Sequence, residues 1–334
     1  MLRGSTRWGV HGSERWTESL GSTAGTAGRG RFPACFLMNF DLGEWCALSC
    51  AVLWAWATIS FRIAGATLSP FHLNLFKNLS LFTLMIPIAW LVEGWGWNDI
   101  SSQDQFDLLL SGFIGICIAD FLYFAALNRL GAGLNSILAC LYSPFVILFS
   151  FIFLQEQLTT AQTIGAAVII IGTFLASFPA KGSERPKELL TGLALGVAAM
   201  ITMAWGIVLA IPVLKADSLF WAIELRLLGG IGVALLLLLL PGKAKGLARA
   251  FRQKNLPWKT LLSGTMIAAF AALILWMKGF QLLADKPSIA AVLNQTSTFF
   301  TLGLAALFLR ERLTLGKLVG AALAFGGVCW IAVN

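Results

Sequence analysis

The sequence predicts an all-α integral membrane protein of ten transmembrane helices, arranged as two inverted five-helix repeats. Three observations predict it. Apolar residues make up 58% of the 334 residues and charged residues only 12%, about half the charge usual in a soluble domain. Runs of about 20 apolar residues, enough to cross roughly 30 Å of hydrocarbon as helix, recur after the first 40 residues. Finally, IFLQEQLTTAQTIGAAVIIIG from Ile152 returns from Leu307 as LFLRERLTLGKLVGAALAFGG, without a gap. Phe153/Phe308, Glu156/Glu311, Thr159/Thr314, Gly165/Gly320 and Gly172/Gly327 match identically at a displacement of 155 (311 − 156 = 155).

Residues 1–37 form an arm rich in Gly, Ser, Thr and Arg, without the continuous apolar core of a secretory signal, and disorder is expected there. Met38 leads directly into the first span, so the arm reads as an extension of the gene upstream of the true start. The first repeat, residues 45–178, holds spans near Trp45–Gly65, Phe71–Val92, Leu108–Leu127, Ala132–Leu154 and Ala161–Phe178. Pro, Gly and charge then interrupt the apolar text in PAKGSERPKE, the linker of residues 179–188. The second repeat, residues 189–334, holds spans near Leu189–Ile211, Leu219–Leu240, Thr260–Leu283, Ser288–Leu309 and Leu315–Val333.

These spans lack apolar/polar alternation and are too long for the strands of a membrane barrel, so helices must satisfy their backbone groups in lipid. An odd number of spans per repeat forces the second copy to enter the membrane from the opposite side. Inverted repeats of this kind support alternating access around a midplane site. The composition favours a small-molecule solute and the lipid bilayer as partners, with self-association open.

Several residues now carry a resemblance that runs from Trp45 to the C-terminus. Tyr123-Phe-Ala-Ala-Leu-Asn-Arg-Leu-Gly-Ala, Tyr142-Ser-Pro, Phe153-Leu-Gln-Glu-Gln-Leu and Gly165-Ala-Ala resemble the third to fifth helices of the EamA-type ten-helix transporters of the drug/metabolite transporter superfamily. Trp54, echoed by Trp205-Gly206, and Lys77, echoed by Arg226, resemble features of that family's first two helices. Pro144 has Phe299 as its equivalent, which makes the two halves of a pocket chemically unequal. The resemblance implies transport of a small polar metabolite, an amino acid or related organic solute, commonly by export across the bacterial inner (plasma) membrane, with cytoplasmic termini and no cofactor.

Glu156 and Glu311, at the ends of the fourth and ninth spans, are expected to satisfy free N–H groups at the start of the next helix. The paired glycines suit close helix packing in lipid. Ionisable groups inside spans are more informative, because each costs about 2.5–3.5 kcal/mol at the bilayer centre on insertion scales and so faces a cavity or a partner. Lys77, Asp120, Glu224, Arg226 and Lys278 qualify. Asp120, nearest the middle of its helix, is the candidate for a substrate ammonium or for proton coupling, with a static pair to Lys77 as the alternative. Glu224 and Arg226, two apart, project to roughly opposed faces, and Arg226 is taken for the pocket. Lys77 and Lys278 are long enough to snorkel.

Trp54, Trp56, Trp205 and Trp276 are central enough to stack on a solute. Tyr123 and Tyr142, which open two of the motifs above, join them. Asn294 and Gln295 place amides at depth in the ninth span, with helix-to-helix bonding as the competing role. This set of candidate substrate-binding residues suits a zwitterionic or anionic metabolite better than a metal ion.

Cys46, Cys50, Cys117, Cys140 and Cys329 are scattered through the spans, no Cys-x-x-Cys occurs, and His11 and His72 are the only histidines. That leaves no material for a disulfide framework, a metal site or a Ser/His relay. An intramembrane enzyme is disfavoured, and a non-transporting membrane scaffold is the remaining alternative. The net charge of +8 reflects topology rather than nucleic acid. The loop after the seventh span holds Lys243, Lys245, Arg249, Arg252, Lys254 and Lys259, while Glu93 to Asp107 holds no base. The positive-inside rule then places both termini outside, against the orientation the resemblance implies.

Overall fold

Every regular element among the described residues is helical. The computed structural model describes residues 41–94, 100–177, 186–214, 219–240, 242–311 and 313–333. The arm of residues 1–37 and most of the linker, 179–185, lie outside them. The described residues belong to one compact unit, Phe40–Asn334.

The first half begins with α1 (Leu42–Ala64), whose Glu44 carboxylate accepts the Asp41 N–H at 2.8 Å. Next comes α2 (Pro70–Glu93), opened by Ser69 accepting from the His72 N–H and by Pro70, whose missing donor costs nothing at a helix start. Then α3 (Ser102–Gly112) continues through a π-helical turn, Phe113–Ile118, into α4 (Ala119–Ala139). After α4 come α5 (Tyr142–Leu154) and α6 (Thr160–Ala176), the latter opened by reciprocal bonds between Thr159 and Gln162.

The second half comprises α7 (Pro186–Leu214), α8 (Leu219–Leu238) and a short basic helix, α9 (Lys243–Phe251). It continues with α10 (Trp258–Leu262), a second π-helical turn (Ser263–Ala269) and α11 (Phe270–Leu282). Last come α12 (Pro287–Asn294), α13 (Ser297–Phe308) and α14 (Leu315–Val333). Pro186–Glu188, assigned to the linker by composition, are the first turn of α7.

Among the described residues seven helical runs are long and apolar enough to cross a membrane: Leu42–Ala64, Pro70–Glu93, Ser102–Ala139, Lys187–Leu214, Leu219–Leu236, Trp258–Leu282 and Pro287–Phe308. Tyr142–Leu154, Thr160–Ala176 and Leu315–Ile331 are shorter apolar helices. The 38-residue run Ser102–Ala139 would extend roughly 57 Å as one straight helix. It is broken at Gly131, whose φ of 78° and ψ of 172° suit a residue without a side chain. A Cβ there would also stand 2.7 Å from Glu311 Oε1.

Local geometry repeats at the displacement seen in the sequence. Helix breaks at Cys140–Leu141 and at Gln295–Thr296 separate α4 from α5 and α12 from α13. At both, the backbone tightens: Cys140 N–H donates to Ile137 at 3.1 Å, and Gln295 N–H to Val292 at 3.0 Å. Gln155 (φ 57°) and Arg310 (φ 52°) both end their helices in the left-handed region. The next residue then reaches back, Glu156 N–H to Ser150 and Glu311 N–H to Ala305, each at 3.2 Å.

The two glutamates reach chiefly to helices other than the ones that follow them, although Glu156 also accepts from Gln162 Nε2 in the first turn of α6 at 3.4 Å. Glu311 accepts from Ala132 N–H at 2.7 Å and Gly133 N–H at 2.9 Å, where the chain restarts as helix after Gly131. Glu156 accepts from the Ser288 hydroxyl at 2.8 Å, at the start of α12. Each carboxylate thus closes a helix of the opposite half, because the helix directly after Glu156 already has Thr159 as its cap. Glu311→Ala is expected to destabilise the fold by about 1.5–3 kcal/mol, the range for hydrogen bonds to a charged group, with Glu311→Gln losing less. Reversible unfolding in mixed micelles measures both.

Two seams join the halves: α14 runs along α6, and α7 along α4. In the first, the repeated glycines face one another. A Cβ on Gly172 would stand 2.6 Å from Gly320 O, and one on Gly327 would stand 2.6 Å from Gly165 O. The packing role read from the sequence is the one the structure shows.

Candidate functional site

The breaks before Tyr142 and before Ser297 open onto one cavity, whose empty space of about 940 Å³ includes the solvent at its mouth. Discontinuous helices at such a place free backbone and side chains to face a ligand rather than lipid. α1 contributes Trp54 and Thr58, α2 contributes Lys77 and Asn78, and the first π-helical turn contributes Gly115 and Ile116. Ala139 and Tyr142 from one broken helix meet Asn294 and Ser297 from the other, positions that correspond under the 155-residue displacement.

Asp120 and Lys77 form a buried ion pair, with Lys77 Nζ donating to Asp120 Oδ2 at 2.5 Å. Lys77 is 4% exposed and Asp120 4%, so Lys77 does not snorkel. Its ammonium also lies 5.9 Å from the Trp54 ring centroid and 5.6 Å from that of Phe124, within cation–π range. Beneath it, Asn74 donates to the carbonyls of Ile116 and Cys117, both at 3.2 Å. Those are carbonyls of the π-helical turn, where the regular hydrogen-bond ladder is displaced. Asn78 donates to Asn74 at 2.5 Å, tying the cavity wall to that turn.

Tyr123 shares a 3.1 Å hydrogen bond with Thr58. The Tyr142 hydroxyl, Asn78 Oδ1 and Asn294 Oδ1 are buried and have no hydrogen-bond partner among the described residues. Buried polar atoms are ordinarily satisfied, so three such atoms around one cavity form a set that a polar solute or water would complete. The cavity therefore offers one cation, one anion, amide and hydroxyl groups, and the ring faces of Trp54 and Trp276.

Of the residues singled out from sequence, Asp120, Lys77, Trp54, Tyr123, Tyr142, Trp276, Asn294 and Gln295 line this cavity. Others do not. Trp205 is 41% exposed on the outer surface, because its neighbour Gly206 takes the inward position against Gly115. Trp56 packs edge-on against Phe308, 5.4 Å between centroids. Arg226 is buried behind the wall, donating to Ser111 Oγ and to Gly206 O, the latter at 3.1 Å, with its guanidinium 5.7 Å from the Trp276 ring centroid. Lys278 donates to Gln281 at 2.7 Å, away from the cavity lining.

Sequence reasoning missed Thr58, Asn78, Ser297 and Thr301, which also line the cavity. Asn78 had a signal: Asn74, Lys77 and Asn78 put three polar side chains at helical spacing within an otherwise apolar span. Among the described residues no cluster of three His, Cys, Asp or Glu is placed to hold a metal ion.

Comparison with known proteins gives a consistent result. The profile of the EamA-like transporter family matches twice, over residues 41–178 and 190–333. An uncharacterized transporter of Archaeoglobus fulgidus is 23% identical over 82% of this chain and 92% of its own length. The uncharacterized transporter YoaV of Bacillus subtilis is 22% identical over 42% of this chain, a match that spans 50% of YoaV. A WAT1-related chloroplastic protein of Arabidopsis thaliana is 26% identical over 42% of this chain and 36% of its own. One crystal structure superposes with a TM-score of 0.60 at 19% identity, covering 87% of this chain and 96% of the other, a likeness of fold. These matches identify a multi-pass membrane protein of a transporter family rather than an enzyme. The chain belongs to the EamA-like transporter family.

Proposed function

We propose that this protein carries a small polar metabolite, an amino acid or related organic solute, across the plasma membrane by alternating access, in the direction of export. The carrying observation is the cavity itself: it lies where two broken helices from the two halves meet, and it combines an ion pair with unsatisfied amide and hydroxyl groups. In this reading ten spans form two five-helix repeats of opposite orientation. The recurrence of helix breaks and left-handed helix ends at the 155-residue displacement supports it. So does the crossed capping, in which Glu156 and Glu311 each close a helix of the other half.

The Lys77–Asp120 pair makes the lining of the cavity neutral in sum. A zwitterion fits that charge pattern, its carboxylate toward Lys77 and its ammonium toward Asp120, with Trp54 and Trp276 against its apolar part. Selective binding to the native state raises thermal stability with ligand concentration. Purified full-length protein screened against amino acids, nucleosides, sugars and organic anions is expected to be stabilised by one class. The effect should be lost in Asn294→Ala and kept in Trp205→Phe, which lies outside the cavity. Silence across the panel, or a hit indifferent to Asn294, refutes the reading and favours a non-transporting scaffold.

A further inference from the structure

Glu224 has no part in the site above, yet it is a fully buried acid with both carboxylate oxygens unpartnered among the described residues. It lies in the second turn of α8. Asp120 has Lys77 at 2.5 Å. Glu93, at the mouth of the same helix, has the N–H groups of Phe220 at 3.0 Å and Trp221 at 3.1 Å.

Among the described residues, the elements packed on α8 place no hydrogen-bonding counter-charge on Glu224. They are α2, α3, the first π-helical turn, α7, α9 and α11. Their titratable or charged residues are His72, Lys77 and Glu93 on α2, Asp104 and Asp107 on α3, and Cys117 on the turn. The others are Lys187 and Glu188 on α7, Lys243, Lys245 and Arg249 on α9, and Lys278 on α11. His72 is bonded to Ser69, Asp104 to Ser101, Asp107 to Gln103 and Lys278 to Gln281. Lys187, Glu188, Lys245 and Arg249 are exposed. On α8 itself Arg226 reaches Ser111 and Gly206 instead, as residues two apart on a helix must diverge.

An ionised carboxylate buried without a partner carries a desolvation penalty of several kcal/mol, which the neutral acid avoids. Leu227, one helical turn on and therefore on the same side of α8, lines the solute cavity. A rearrangement that carries the cavity one turn along α8 brings water to Glu224.

We propose that Glu224 is the proton-binding site of this carrier: it holds a proton in the conformation described, and releases it to water when the change of access wets that turn of α8. The step breaks the carboxyl O–H bond and leaves a carboxylate and a hydronium ion. It rests on the transport reading and adds the coupling ion to it, at a residue other than Asp120.

Infrared spectroscopy of the full-length chain in lipid vesicles tests this without any solute, so a failed ligand screen and a failed proton site are distinguishable. At neutral pH a protonated-acid C=O band is expected that shifts on carboxyl-13C labelling of glutamate, moves in D2O, and survives Asp120→Asn. Glu224→Gln should abolish it. Glu224→Asp, which keeps an acid, should move it beyond the reach of the glutamate label. Absence of the band, its persistence in Glu224→Gln, or its indifference to D2O overturns the proposal.

Discussion

Lys77→Met is expected to destabilise the protein by about 3–5 kcal/mol, the cost of breaking a buried ion pair by removing one partner, and to do so far more than the double variant Lys77→Met/Asp120→Asn. Lys77 and Asp120 sit with side chains only 5% and 6% exposed, so removing the ammonium leaves a largely desolvated carboxylate without its counter-ion. Methionine fills the same space and keeps the apolar stem, which confines the loss to the charge. Asp120 is then a buried carboxylate without its counter-ion, and the rings of Trp54 and Phe124 lose the cation they flanked. Removing the second charge relieves that penalty, because replacing both partners of a buried pair is often close to neutral. Sodium dodecyl sulfate titration in mixed micelles, followed by Trp fluorescence, gives the three free energies of the cycle. Equal losses in the single and double variants would show that the pair carries no coupling and that packing alone sets the cost.

The same cycle separates stability from recognition. The double variant should fold while losing ligand stabilisation, since both poles offered to a zwitterion are gone. An anion held by a cation alone would instead tolerate Asp120→Asn.

What was legible in the sequence follows from length scale. Ten apolar runs, their order and the repeat come from burial and periodicity, which a single chain displays directly. The interruption at Cys140–Leu141 had a signal in Pro144, which cannot donate to the Cys140 carbonyl four residues back, whereas that at Gln295–Thr296 had none, because Phe299 stands where the first half has Pro144. Gly131, by contrast, was visible as a glycine but not as the point where the long helix ends. The capping roles of Glu156 and Glu311 were legible as chemistry and wrong as address: residue type signals a helix start nearby, while which helix lies nearby is a tertiary fact. Of the site, the ionisable and aromatic residues stood out because they are costly in lipid. Trp205 and Trp56 show the limit of that logic, since a large aromatic is at home on a lipid-facing surface or in a ring contact. Arg226 shows another, in that Ser111 and a carbonyl of Gly206 sufficed to hold it behind the wall.

Gly327→Leu and Gly326→Leu change adjacent residues of α14 to the same side chain, and their effects should differ sharply. Around Gly326 nothing lies within 4 Å of where a Cβ would stand. There leucine points outward from the bundle and replaces glycine with a better helix former, worth about 0.8 kcal/mol in a helix interior. Gly326→Leu should therefore be neutral or slightly stabilising. At Gly327 the same atom would stand 2.6 Å from Gly165 O and 3.1 Å from Ile169 N. Both are backbone atoms of α6 that no rotamer change can move, so the helices must separate. Overpacking of a close-packed interior costs about 1–3 kcal/mol, and here it also opens the contact where Gly172 meets Gly320, forfeiting the dispersion that holds helices together in lipid. A loss at 327 with none at 326 identifies the α6–α14 seam as a packed interface. Equal, small effects at both would mean that α6 and α14 part readily in the bilayer.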